Sequence, residues 1–173
     1  MKKVCISLLG MGLALLSASA NADTIVSAAS GKPYYFNQWD CFVPYSEAQV
    51  SSYGGACHTG SSGNQFYWET YIHNSNASTV SKTLYAYGRQ GNQGGCVLGG
   101  CVSSCTGYVL NANGDVLSFA GSANLPTTPG WVQLGSAVSV PALTDVVFEC
   151  YLSDYAASGL FGYVSSLRMS GTP

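Results

Sequence analysis

Six cysteines, Cys41, Cys57, Cys96, Cys101, Cys105 and Cys150, remain in this 173-residue chain once Cys5, inside an apolar leader, is set aside. Thiols ligate metals, attack substrates or oxidise in pairs. The C-x4-C-x3-C spacing of Cys96, Cys101 and Cys105 matches no common zinc site, so no metal site is assigned to them. An even count in an exported chain predicts up to three disulfides. Fifteen pairings are open to six cysteines. The preferred one joins Cys41 to Cys57 and Cys96 to Cys101, closing short loops, and Cys105 to Cys150, tying two predicted strands. A thiol nucleophile is not indicated, because each cysteine has a plausible partner and only His58 and His73 exist to activate one.

A second constellation lies between residues 65 and 89. If Gln65 to His73 and Ser81 to Arg89 form a hairpin turning at Ser78, even positions share one face and odd positions the other. The even face, with Phe66, Trp68, Ile72, Leu84 and Ala86, reads as core. The odd face brings Tyr67, Glu69, Tyr71 and His73 opposite Tyr85, Tyr87 and Arg89. Flat rings cover the apolar C–H side of a pyranose, and carboxylate, imidazole and guanidinium groups satisfy its hydroxyls. This face therefore reads as a lectin-like, ligand-binding surface with carbohydrate the preferred class. Strand propensity explains the same pattern: tyrosine favours strands, cross-strand aromatic pairs contribute about 0.2–1 kcal/mol each, and Glu69 with Arg89 would make a diagonal ion pair. Both readings stand at this point.

Other candidates are weaker. Gly60-Ser61-Ser62-Gly63 is not a serine nucleophile elbow, which needs G-x-S-x-G entering a helix. A glycosidase needs two carboxylates across a cleft. Asp40, Glu47, Glu69 and Glu149 are the eligible acids, and spacing couples no two of them. No D-x-[DN]-x-[DN] run suggests calcium. His58 and His73 read as ordinary polar residues, Trp39 sits in a run that is aromatic on both strand faces, and Trp131 at a strand start reads as core. No catalytic residue and no cofactor is assigned.

These residues need a scaffold, and composition narrows it. Charged residues are 8 % of the chain, against roughly 25 % in an average soluble protein. Hydrophobic residues are 47 %, which excludes disorder. Six Lys and Arg cannot build the basic patch that nucleic acid requires. Lys2 and Lys3, the apolar run Val4 to Leu16 and Ala20-Asn21-Ala22 predict a signal peptide over residues 1–22, of bacterial, Gram-negative style. No other stretch approaches the length of a membrane span, so no membrane insertion is expected after cleavage. The mature chain, 23–173, is then one domain, exported and either secreted or periplasmic, with four cations and eight acids.

Short runs of Val, Tyr, Phe, Trp and Thr between Gly, Asn, Ser and Pro clusters predict strands throughout. They fall at Ile25–Ala28, Tyr34–Val43, Gln65–His73, Ser81–Arg89, Tyr108–Leu110, Asp115–Phe119, Trp131–Leu134, Ala137–Val140, Thr144–Leu152 and Leu160–Met169. Asn113-Gly114 is the hairpin turn between two of them. Residues 51–64 read as a Gly/Ser loop and 90–105 as an irregular excursion. The expected fold is all-β, a two-sheet antiparallel sandwich of jelly-roll type held by disulfides, with a closed barrel as the alternative. Gly130-Trp131-Val132, Val138-Ser139-Val140-Pro141 and Val147-Phe148-Glu149-Cys150 resemble the back half of small secreted bacterial jelly rolls, of which carbohydrate-binding modules are the best-known members. The likeness covers residues 130–173 and implies the fold, with function by analogy. Three functions follow for testing. The leading one is a non-catalytic module binding a glycan. The second is a protein-interaction factor (inhibitor, adhesin or toxin-like effector) with a cell-surface protein as partner. The third is a small hydrolase.

Overall fold

A computed structural model describes residues 23–33, 42–46, 49–52, 67–90, 102–152 and 162–171. The strands among them are β1 (Thr24–Ser27), β2 (Lys32–Pro33), β3 (Phe42–Ser46), β4 (Gln49–Ser52), β5 (Tyr67–His73) and β6 (Val80–Arg89). They continue as β7 (Ser104–Leu110), β8 (Val116–Asn124), β9 (Gly130–Gln133), β10 (Val138–Val140), β11 (Asp145–Tyr151) and β12 (Tyr163–Gly171). All pair antiparallel in two sheets that form a jelly-roll-like sandwich, as the strand pattern predicts. In one sheet β6 and β12 are central. β9 and β10 both pair with β6, β1 and β4 pair with β12, and β3 lies outside β4. The other sheet runs β2-β5-β11-β7-β8. They are called the β6 sheet and the β11 sheet below.

Period-two burial makes both sheets. On β5 the even residues Trp68, Thr70 and Ile72 are buried, and on β6 every even residue from Val80 to Gly88 is. Phe148, Leu84, Leu167, Met169 and Leu134 fill the space between the sheets. A 3-10 turn, Ala28–Ser30, carries the chain from β1 in one sheet to β2 in the other. The Trp68 indole N–H donates to the Ala28 carbonyl at 2.7 Å and the Thr70 hydroxyl does so at 3.4 Å. The crossing is thereby fastened to β5 from inside the core.

The predicted hairpin of β5 with β6 does not form. β5 pairs with β2 and β11, and β6 pairs with β9, β10 and β12. Two strands facing each other across a sandwich show the same alternation as two strands side by side, so the pattern alone does not separate them. The connection decides it. Asn74, fully buried, donates through Nδ2 to the carbonyls of Val140 (3.3 Å) and Pro141 (2.7 Å), and its backbone N–H donates to the Thr144 carbonyl at 2.8 Å. Its Oδ1 accepts from the backbone and side chain of Asn76. This pins the end of β5 to the β10–β11 turn, and residues 75–79 cross to the other sheet.

Three further differences are local. β4 begins at Gln49 and enters the stretch expected to be loop, pairing with β3 at Phe42↔Ser52 and Val43↔Ser51. β7 begins inside the excursion 90–105. Trp131, expected in the core, is 40 % exposed on β9. The β7–β8 hairpin turns at Asn113-Gly114 as expected: the Asn111 side-chain carbonyl accepts from the N–H groups of Asn113 and Asp115, and Gly114 takes a positive φ of 86°. β8 is the outer strand of its sheet, with Val116, Leu117 and Phe119 exposed. The signal segment, Trp39, residues 34–41 of the predicted second strand, His58, and Cys41, Cys57, Cys96 and Cys101 lie outside the described residues.

Cys105 and Cys150 face each other in register between β7 and β11, with Cα atoms 4.0 Å apart, and are joined by a disulfide. This is the strand-tying bridge of the preferred pairing. Replacing both by alanine should lower the unfolding free energy by about 2–4 kcal/mol in a urea titration at matched pH.

Candidate functional site

The outward residues of the β11 sheet form rungs across adjacent strands, set by register. Tyr67 faces Tyr151, which faces Ser104. Lys32, Glu69, Glu149 and Thr106 make the next rung. Tyr71, Val147, Tyr108 and Phe119 make the third, and His73 with Asp145 closes the row. Successive rungs are about 7 Å apart, since two residues of strand rise that far. Aromatic rungs therefore flank a charged rung.

The rungs are cross-linked. Ring centroids of Tyr67 and Tyr151 are 5.8 Å apart, and those of Tyr108 and Phe119 are 5.7 Å apart. The Tyr71 hydroxyl donates to Glu69 Oε2 at 2.8 Å, while Lys32 Nζ lies 5.6 Å from the Tyr71 ring centre. These contacts hold the Tyr71 ring while leaving it 41 % exposed. His73 Nδ1 and Asp145 Oδ1 are 2.8 Å apart. The sequence did not couple Glu69 with Glu149, because only the β5–β11 register brings residues eighty positions apart face to face. Partial burial raises the Glu149 carboxyl above the ordinary carboxylate range, and the Glu69 charge opposite raises it further.

The two glutamates do not make a hydrolytic pair of the usual geometry. Both project from one side of one sheet, whereas glycosidases place their carboxylates on either side of the bond to be cut. Among the described residues no group of three or more His, Cys, Asp and Glu is placed to hold a metal ion.

Of the seven odd-position residues singled out in the sequence, Tyr67, Glu69, Tyr71 and His73 share this face. Tyr85, Tyr87 and Arg89 lie on the outer face of the β6 sheet, on the opposite side of the sandwich. The expected single surface is thus two surfaces, and Glu69 makes no diagonal pair with Arg89. On the β6 side the Tyr87 and Trp131 rings meet edge to face at 5.3 Å. The Arg89 guanidinium lies 5.4 Å from the Tyr163 ring centre, and that of Arg168 lies 4.3 Å from Tyr85 and 5.0 Å from Trp131. Trp131, Tyr163, Arg168, Tyr151, Tyr108, Asp145 and Glu149 were missed as site residues. For Asp145, Glu149 and Tyr151 the outward, odd-numbered positions of β11 were the available signal.

No family model matches the chain, and no curated protein matches it in sequence. Solved structures similar to it include a family 35 carbohydrate-binding module from Clostridium thermocellum, at 15 % identity and a TM-score of 0.45, covering 87 % of this chain and 99 % of that one. An isomalto-dextranase from Arthrobacter globiformis, complexed with panose, is 12 % identical with a TM-score of 0.49 over 85 % of this chain. A β-(1,4)-mannanase of Podospora anserina that carries such a module is 12 % identical with a TM-score of 0.45. The chain spans 23 % and 28 % of the lengths of those two enzymes. Likenesses at these scores assign neither ligand nor activity.

Like charges directly opposite across a strand pair are unfavourable. A carboxyl raised in the folded state favours folding below its unfolded pKa and loses that contribution as pH rises through the folded value. Glu149→Gln should therefore stabilise the protein at pH 7 by about 0.5 kcal/mol, the scale of a cross-strand pair. In thermal melts across pH, the gain should vanish as pH falls through the carboxylate range.

Proposed function

We propose that this protein is an exported, non-catalytic glycan-binding β-sandwich that holds a neutral sugar chain on the outer face of the β11 sheet. The observation that carries this is the rung order: exposed Tyr71, and Tyr67 with Tyr151, on either side of the Glu69–Glu149 rung. Rings separated by about 14 Å of strand match more than one pyranose, and carboxylates between them accept hydroxyl protons. Three acids on this face, Glu69, Asp145 and Glu149, outnumber its one described cation, Lys32, and so favour a neutral chain over an anionic one. A buried disulfide between β7 and β11 is compatible with an oxidising compartment, periplasmic or extracellular.

Protein interaction is a second reading, favoured by β8. An outer strand with Val116, Leu117 and Phe119 exposed is an edge to which another strand can add. A glycan array separates the two. The exported protein should bind neutral glycans, and Tyr71→Ala should weaken that binding about tenfold or more while Leu117→Lys leaves it intact. Absence of binding across the array, or binding indifferent to Tyr71→Ala, overturns the glycan reading for this face.

A further inference from the structure

Among the described residues the two outer faces differ in charge balance, Lys32 being the one cation on the β11 face. Among the described acids, Glu69, Asp145 and Glu149 lie on the β11 face, and Asp115 lies at the β7–β8 turn. Asp23 stands at one corner of the β6 sheet, accepting from the Ser170 hydroxyl at 2.7 Å. Arg89 and Arg168, half of the four cations in residues 23–173, lie on the β6 face on neighbouring strands.

Arg168 is held in an unusual way. Its guanidinium sits against the Tyr85 and Trp131 rings, and its Nε is buried with no hydrogen-bond partner. Contact with ring faces does not use the guanidinium N–H donors, and the outward ones suit the paired oxygens of a carboxylate or sulfate. The Asp23 carboxylate lies near enough for the Arg168 charge to lower its pKa, but it forms no hydrogen bond to Arg168: its partners are Ser170 and the Gly171 N–H. Beside it, Trp131 offers a 40 % exposed ring that Tyr87 meets edge to face. Arg89, four residues along β6 from Tyr85, places a second positive charge about 14 Å further on.

We propose that the outer face of the β6 sheet is a binding site for an oxyanion-bearing glycan, with Arg168 engaging a carboxylate or sulfate and Trp131 covering the sugar ring beside it. The ligand class deepens the glycan reading, but the site is separate from the β11 face and stands on different residues. Two arginines are too few for a nucleic-acid backbone, whose binding requires many phosphate contacts.

Affinity electrophoresis of the exported protein through polygalacturonate, dextran sulfate and neutral dextran tests this. Retardation by polygalacturonate alone identifies a carboxylate ligand, and retardation by dextran sulfate alone identifies a sulfate ligand. Either supports the site, as does retardation by both. Arg168→Gln should weaken binding on the order of tenfold to a hundredfold, as loss of a charged hydrogen-bonding group does. Arg168→Lys, which keeps the charge but loses the planar fork, should fall between. Trp131→Ala, at an exposed ring, repeats the test should Arg168→Gln fail to fold. Tyr71→Ala should leave this retardation unchanged, so a failure on the β11 face and a failure here read out separately. Run in the Tyr71→Ala background, which removes the proposed neutral-glycan face, no retardation by either polyanion, equal retardation by neutral dextran, or an added Arg168→Gln that binds like its parent overturns the proposal.

Discussion

The pairing of β5 with β11 is the constraint from which the rest of the structure follows. Seven residues of each strand are in register, from Asp145 opposite His73 to Tyr151 opposite Tyr67. That register buries Trp68, Ile72, Val146 and Phe148 on one side. On the other side it sets tyrosine against tyrosine, glutamate against glutamate and histidine against aspartate. A slip of one residue would send the apolar set outward and the charged set into the core. The Cys105–Cys150 bridge fastens β11 to β7 on its other edge, so the central strand of the sheet is held covalently as well as by its hydrogen-bond ladder.

Much of the fold was legible in the chain because short runs with alternating burial carry a period that only strands satisfy. All the described strands except β2 and β4 overlap predicted runs, and the Asn113-Gly114 turn folds as its residue types require. Partner choice was not legible. Alternation tells which residues of β5 and β6 point inward, not whether the strands lie side by side or across the core from each other. The information that separates these is non-local and sits in Asn74, whose amide needs acceptors from residues 140 and 141. A lone buried asparagine gives no such sign in a linear reading.

The candidate site shows the same division. On β5 and β6 the odd residues were read correctly as outward-facing aromatics and charges, but their grouping depended on the hairpin. Tyr67, Glu69, Tyr71 and His73 stay together because they share one strand. The acids that complete their face come from β11, and the rings that join Tyr85 and Tyr87 come from β9 and β12. Trp131 was read as core for a physical reason: a tryptophan is most often covered, and its place on a strand alongside β6 leaves it outward. Charge scarcity then sharpens the picture. Among the described residues Lys32 lies over the Tyr71 ring, Arg89 over Tyr163 and Arg168 over Tyr85 and Trp131, so three of the four cations in residues 23–173 have aromatic neighbours.

The crossing at residues 74–79 makes neighbours in sequence into opposites in space. β5 and β6 turn their odd residues away from each other, with two sheets about 10 Å apart between them. A ligand resting on one outer face is therefore out of reach of the other. Perturbations on the two faces should add rather than interact, because no side chain is shared between them. If both proposed sites are real, their two ligands would lie on opposite sides of one chain.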